Sequence, residues 1–382
     1  MSKKIGVYIH IPFCVKKCNY CDFNSGAYSD EIKAEYVDAL CKEIEIKSAD
    51  FKDYIVDTVF MGGGTPSILP VEMTGKIFET LRSFYNVSED AEITIETNPG
   101  TLEISKLKAY KGFGINRISM GLQSADNEQL KALGRIHTYE EFVENFNNAR
   151  EAGFDNINVD LMSAIPGQDI ESFKDTLIKV KNLEPEHISI YSLIIEEGTY
   201  FYNMKLNLPD EDEEREMVHC IPEILGNEYH QYEISNYSKP GFECKHNIKY
   251  WVRDEYIGFG VSAASLVGNR RIKITDDIKK YAEFYRKYNE IDKFLDEKEI
   301  LSEDEVLSSK DERSEFIILG TRMNKGISIN RYKSLFGHSI FDDYDSELNK
   351  NISEGLIVVD EGFLKLTSKG RDLANYVWMN FV

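Results

Sequence analysis

The chain has 382 residues, with 45 Lys and Arg against 66 Asp and Glu, and a formal net charge of −21. Its 42% hydrophobic and 29% charged residues are those of a folded protein, which excludes wholesale disorder. The acid excess argues against a nucleic-acid partner, and no run approaches the roughly eighteen apolar residues of a membrane span.

The length suggests two domains. The N-terminus leads into a short apolar stretch, Ile5–Phe13, with no cleavage site after it, so the expected location is cytoplasmic. Short apolar or β-branched runs predict strands at Gly6–Ile11, Ile55–Met61, Glu92–Thr97, Asn116–Leu122, Asn156–Ala164 and His187–Leu193. Between them lie amphipathic stretches. Ile32, Tyr36, Leu40 and Ile44 recur every four residues, and similar patterns cover Val71–Tyr85, Ile104–Lys111, Tyr139–Ala152 and Ile170–Lys181. Six successive βα units imply an α/β fold with a parallel sheet, a partial (β/α)6 TIM-like barrel whose chemistry sits at the carboxyl ends of the strands.

Beyond Leu193 the rhythm loosens. A helix is expected at Asp210–Leu225, then an aromatic-rich segment, Tyr229–Trp251, and a glycine-containing strand-like stretch, Tyr256–Leu266. The charged stretch Asp276–Ser309 reads as a solvated helical connector. From Lys310 the pattern is helices, a hairpin of Leu356–Val359 and Phe363–Leu366 around Asp360-Glu361-Gly362, and a last helix, Lys369–Trp378. The expected division is a barrel over residues 1–290 and a small C-terminal winged-helix-like α+β domain over 300–382. Residues 301–382 carry ten basic and fourteen acidic side chains, so protein contact suits this tail better than DNA.

Of six cysteines, Cys14, Cys18 and Cys21 form a C-x3-C-x2-C run directly after the first strand. Three converging thiolates can ligate three irons of a [4Fe–4S] cube and leave the fourth iron open. The alternative is a structural zinc site with His10 as fourth ligand. Cys41 and Cys220 read as packed thiols. The stretch Tyr8-Ile-His-Ile-Pro-Phe-Cys14-Val-Lys-Lys-Cys18-Asn-Tyr-Cys21-Asp-Phe23 resembles the radical S-adenosylmethionine superfamily, in the group containing oxygen-independent coproporphyrinogen III oxidase and the HemW-type haem chaperones. The resemblance covers essentially the whole chain. It implies that S-adenosylmethionine chelates the open iron, and that an electron from the cluster cleaves it to a 5′-deoxyadenosyl radical.

The same resemblance implies a cofactor shell. Gly63, Gly64 and Thr65 follow the second strand in Gly62-Gly63-Gly64-Thr65-Pro66, which lacks Walker and Rossmann spacing but matches the segment that contacts the methionine part. Tyr8 and Tyr20 are candidates to cover the adenine or the cluster. Glu96 would pair with an amine or ribose hydroxyl, and Arg135 offers a fork for a carboxylate. Gln123 and Asp160 complete the set.

Three features separate chaperone from oxidase. Phe23 stands where the oxidase pattern has a fourth cysteine, the N-terminal extension is missing, and His246-Asn247-Ile-Lys-Tyr250-Trp251 matches the H-N-x-x-Y-W signature of the HemW type. A neutral His246 can ligate haem iron, Tyr250 and Trp251 can cover the porphyrin, and Cys244 is a second candidate ligand. Lys245, Lys249 and Arg253 are expected to neutralise the haem propionates. The implied function is binding haem and delivering it to haem-acceptor proteins, respiratory enzymes at the membrane. An electron donor is a further partner, and membrane contact comes only through the acceptors. The alternative is the oxidative decarboxylation of coproporphyrinogen III.

Overall fold

The computed structural model describes residues 3–287 and 297–382. In chain order the first half comprises β1 Lys3–Ile11, α1 Asp30–Lys47, β2 Tyr54–Gly63, α2 Val71–Phe84, β3 Val87–Thr97, α3 Ile104–Gly112, β4 Arg117–Gln123, α4 Asn127–Ala132, α5 Tyr139–Glu151, β5 Ile157–Ser163, α6 Ile170–Lys181 and β6 His187–Ser192. There follow α7 Glu211–Leu225, β7 His230–Glu233, β8 Asn236–Ser238, α8 Lys245–Trp251, β9 Tyr256–Phe259, β10 Ala264–Val267, β11 Arg270–Ile274, α9 Ile278–Lys287 and β12 Leu301–Val306. The tail holds α10 Ser309–Gly320, β13 Ile327–Ser328, α11 Ile329–Phe336, α12 Ile340–Ser353, β14 Ile357–Asp360, β15 Phe363–Leu366, α13 Ser368–Asp372 and α14 Ala374–Trp378.

The six expected strands appear within a few residues of their predicted limits. They pair in parallel and in sequence order, β1 through β6. Ser29, Asp126, Thr138, Asp169 and Asp210 each accept an amide N–H at the start of the helix that follows, which fixes those starts. The full sheet has twelve strands in the order β12-β11-β10-β9-β1-β2-β3-β4-β5-β6-β8-β7. Among the described residues no pairing joins β7 to β12, so the barrel stays open. Val7, Ile9 and Ile11 of β1 share one hydrophobic cluster with Tyr36, Leu40 and Ile44 of α1, as expected for a parallel strand covered by its crossover helix.

The charged stretch expected as a solvated connector is different. Its first part, α9, buries Ile278, Tyr281, Phe284 and Tyr285. Its last part, β12, is a strand pairing antiparallel with β11. Residues 288–296 of that stretch lie outside the described residues. In the tail, β13, β15 and β14 form a separate small sheet, and a second hydrophobic cluster includes Phe316, Tyr332, Leu348 and Val377. The expected final helix breaks at Leu373 into α13 and α14.

Candidate functional site

The cysteine loop leaves β1 at its carboxyl end and is closed at its base by two backbone bonds, Cys14 N–H to Gly26 O (2.8 Å) and Gly26 N–H to Pro12 O (3.0 Å). Asn19 pins its middle: its backbone N–H donates to Leu133 O (3.0 Å) and its side-chain amide to Ala132 O (2.9 Å). The three thiols are half-buried. Arg135 Nη1 donates to Cys18 Sγ at 3.6 Å, and Thr65 Oγ1 lies 3.5 Å from Cys14 Sγ. Burial pushes the Cys21 thiol up, and Lys17 opposes that shift. Among the described residues no three His, Cys, Asp or Glu side chains are already gathered as a metal cage. The donor chemistry nevertheless fits an iron–sulfur cluster, with soft sulfur ligands on one short loop and hydrogen-bond donors turned towards them.

The zinc alternative fails on its fourth ligand. His10 Nε2 lies 3.0 Å from the Asn24 carbonyl, which can only accept, so Nε2 carries the proton. Nδ1 then accepts from the Tyr8 hydroxyl at 3.0 Å. Burial lowers the His10 pKa, in keeping with this neutral tautomer. Both ring nitrogens are committed within the protein.

The glycine turn packs closely against the end of β1 and the start of the cysteine loop. A Cβ on Gly63, whose φ is +110°, would lie 2.5 Å from the His10 ring, and one on Gly64 would lie 2.7 Å from the Phe13 carbonyl. The N–H of Gly63 donates to Glu96 Oε2 (2.9 Å), that of Gly64 to Ile11 O (2.8 Å) and that of Thr65 to Phe13 O (2.7 Å). Asn98, which the sequence did not single out, connects this turn to Arg135: its amide donates to Thr65 Oγ1 (3.0 Å) and its Oδ1 accepts from Arg135 Nη2 (2.9 Å). Arg135 also donates to the Gly121 carbonyl and has the Tyr20 hydroxyl beside it. Its two terminal nitrogens thus meet protein acceptors, while its Nε is buried without one. Gln123 ends β4 beside Gly121 with φ +75°, a strained conformation for a non-glycine residue.

Two of the predicted groups meet in one chamber. A cavity of about 230 Å³ inside the barrel is lined by Tyr8, Gly63, Glu96 and Asp160 from the cofactor set, and by His246, Asn247 and Tyr250 from the H-N-x-x-Y-W segment. Phe23, 60% exposed, stands at the rim of the same cavity. Thr65, Arg135 and Cys18 instead line a separate, much smaller depression of about 20 Å³. Burial raises Glu96 to about 8, with the Asp160 charge adding to the shift. Asp160 is raised by burial, although Asn158 (2.7 Å) and Ser119 (3.1 Å) donate to its two oxygens. The pair therefore holds a proton near neutral pH.

His246 is 1% exposed, stacked on Phe60 at 5.4 Å, with Nδ1 2.9 Å from Thr58 Oγ1 and Nε2 2.9 Å from Tyr250 Oη. Burial lowers its pKa to about 3, so the ring is neutral. Glu92 caps the start of α8 by accepting the N–H groups of Lys245 and His246, both at 3.1 Å. Trp251 stands apart from the cavity, its ring under the Arg322 guanidinium at 4.3 Å. Two of the three cations expected at the propionates are already paired, Lys249 with Asp57 (2.7 Å) and Arg253 with Glu312 (3.2 Å) and Glu315 (3.1 Å), while the Lys245 side chain is exposed. Cys244 is fully buried, its thiol 3.6 Å from Glu92 and pushed up to about 12 by burial, far from a ligating thiolate.

Sequence reasoning missed Arg117, Ser119, Asn158 and Ser189, which also face the cavity. The signal was present for Arg117: a cation inside an apolar run that reads as a strand buried on both faces.

Residues 8–180 match the family model described as the Radical SAM superfamily, and residues 307–373 match the HemN C-terminal domain. The chain is 35% identical to "Heme chaperone HemW" of Bacillus subtilis (strain 168) over 98% of both chains. It is 41% identical to the protein of that name from Escherichia coli (strain K12), over 68% of this chain and 69% of the relative. Among solved structures, coproporphyrinogen III oxidase (HemN) from Escherichia coli superposes with a TM-score of 0.86 at 26% identity, covering 99% of this chain and 90% of that one.

Proposed function

The chain belongs to the HemW-type group of the radical S-adenosylmethionine superfamily, and from that membership we propose that it binds haem and passes it to haem-requiring proteins. The observation that carries this reading is the meeting of the cofactor set and the H-N-x-x-Y-W residues in one cavity. Cys14, Cys18 and Cys21 would hold a [4Fe–4S] cluster, which supplies one-electron chemistry and an open iron for S-adenosylmethionine. Arg135 steadies the Cys18 sulfur, and Thr65 faces the Cys14 sulfur. Tyr8, Gly63, Glu96 and Asp160 orient S-adenosylmethionine from the barrel side, with Tyr20 and Gln123 beyond the cavity wall. Glu96, whose pKa burial raises to about 8, keeps a proton near neutral pH that it can donate to a ligand in the cavity. His246, kept neutral, can take a haem iron on Nε2 only by giving up the Tyr250 hydroxyl, so haem entry needs Tyr250 to turn away. Respiratory acceptors, an electron donor and a cytoplasmic site of action belong to the same proposal; among the described residues no helix is long and apolar enough to cross a membrane.

The resemblance in fold to coproporphyrinogen III oxidase supports a second reading, decarboxylation of coproporphyrinogen III. Anaerobic cluster reconstitution, followed by haem titration and a mass-spectrometric assay of coproporphyrinogen III conversion, separates the two. Saturable haem binding without conversion is the expected outcome. Stoichiometric protoporphyrinogen IX formation would overturn the chaperone reading.

A further inference from the structure

Arg117 opens β4 from the amino-terminal end of the barrel and is 1% exposed, yet it lines the central cavity. No acceptor among the described residues hydrogen-bonds its guanidinium, and its Nε is buried without a partner. The nearest acids do not pair with it. Glu92 is engaged by the Lys245 and His246 N–H groups and the Cys244 thiol. Asp160 is engaged by Asn158 and Ser119. Arg135, the other arginine near the cofactor set, donates from its two terminal nitrogens to Asn98, the Gly121 carbonyl and Cys18, although its Nε, too, is buried without a partner. The Glu92 and Asp160 charges lie near enough to favour the charged guanidinium, yet neither carboxylate is hydrogen-bonded to it, and its planar fork matches a carboxylate held by two parallel hydrogen bonds.

We infer that Arg117 anchors the carboxylate of a ligand that enters the barrel cavity. Ser119 and Asn158 line the same cavity but are held on Asp160, which leaves Arg117 as the donor there with no protein acceptor, and Tyr8 and Tyr250 give the chamber aromatic sides for the rest of the molecule. Glu96, raised to about 8 by burial, is protonated at neutral pH, so this wall does not repel an incoming anion as two charged acids would. The inference rests on the reading of the cavity as a cofactor and substrate chamber. Two sources supply the chemistry: the methionyl carboxylate of S-adenosylmethionine, or a propionate of a porphyrin.

The test uses the cluster-reconstituted protein, wild type against Arg117→Met and Arg117→Lys, and two ligand pairs that differ only in the carboxylate. The pairs are haem with its dimethyl ester, followed in the Soret band, and S-adenosylmethionine with its decarboxylated form, followed by calorimetry. For one pair, Arg117→Met should weaken the carboxylate-bearing member about tenfold or more (about 1.4 kcal/mol) and the other member less than about twofold. Arg117→Lys, keeping the charge but losing the fork, should fall between. The pair that responds identifies the source. Because Arg117 makes no hydrogen bond to the protein and only sits in the field of Glu92 and Asp160, the ligand-free Met variant should melt close to the wild-type temperature. Equal changes within both pairs would overturn the inference while leaving the functional reading intact. So would a large drop in the ligand-free melting temperature with the binding ratios preserved, which would make Arg117 a structural residue. A wild type that binds neither haem nor S-adenosylmethionine would overturn the functional reading itself and this inference with it.

Discussion

Replacing His246 by alanine tests whether the H-N-x-x-Y-W histidine is a barrel-interior residue as well as a haem contact. The substitution strips the Thr58 and Tyr250 hydroxyls of their 2.9 Å partners and removes the ring stacked on Phe60. Orphaning two buried hydroxyls at about 1–2 kcal/mol each, plus a lost stacked pair, gives about 4 kcal/mol at pH 7.5. Protonation supplies a second readout. Burial holds the folded-state pKa near 3, below the ordinary 6.5, so below pH 6.5 the unfolded chain takes up a proton that the folded chain refuses. Stability is therefore complete above pH 6.5 and is lost as the pH falls towards 3. Between pH 6.5 and 4.5 that loss is about 3 kcal/mol in the wild type and absent from the variant. Urea unfolding of the cluster-free protein should thus show a wild-type advantage of about 4 kcal/mol at pH 7.5, shrinking to about 1 kcal/mol at pH 4.5. An advantage of the same size at both pH values would refute the placement of the ring. Soret titration of the same variant adds the functional arm: unchanged affinity and spectrum would remove His246 as the iron ligand.

Serine at any one of Cys14, Cys18 or Cys21 should abolish the reconstituted cluster, measured as iron and sulfide per chain, while leaving far-UV circular dichroism unchanged. Arg135→Met removes the bonds to Cys18, Asn98 and Gly121; the cluster should still form but decay faster under chelator, and an unchanged decay rate would count against the linkage. Glu43→Ala should cost about 3–5 kcal/mol in chemical unfolding, because fully buried Glu43 accepts from Lys47 (2.6 Å), Tyr281 (2.6 Å) and the Gly260 N–H (2.7 Å). Lys249→Met leaves Asp57 without its 2.7 Å partner and should destabilise the protein without weakening haem binding; a selective loss of haem affinity would restore a role for that lysine at the propionates.

Legibility followed the range of the interactions. The six βα units could be read because buried parallel strands are continuous apolar runs and α1, α4, α5 and α6 open on local side-chain caps. The misread segment was one whose partner is distant in sequence. Leu301–Val306 carries Glu303, Asp304 and Glu305 and looks solvated in isolation, but it lies against Arg270–Ile274, where Arg270 meets Asp304 (2.7 Å) and Lys273 meets Glu303 (3.2 Å). α9 falls where a helix is expected, but its buried face was not foreseen because lysines dilute the apolar stripe of Ile278, Tyr281, Phe284 and Tyr285. At the site, the cysteine spacing and the glycine turn are local signals. The commitment of Arg135 to protein acceptors, the pairing of Lys249 and Arg253, and the open fork of Arg117 arise from strands and helices that only the folded barrel brings together.

A barrel that does not close has two raw margins, each a row of backbone groups able to recruit a strand from another molecule. This fold treats the two differently. On the β12 margin the outermost strand is acidic along its exposed length, so an approaching copy meets its own charge. On the β7 margin the tail domain covers the backbone: Glu233 bridges to Met323, and the Asn324 N–H donates to Tyr232 O at 2.9 Å. A chain cut before the tail would thus expose a sticky strand along with losing a domain, and truncated forms are expected to aggregate through that margin.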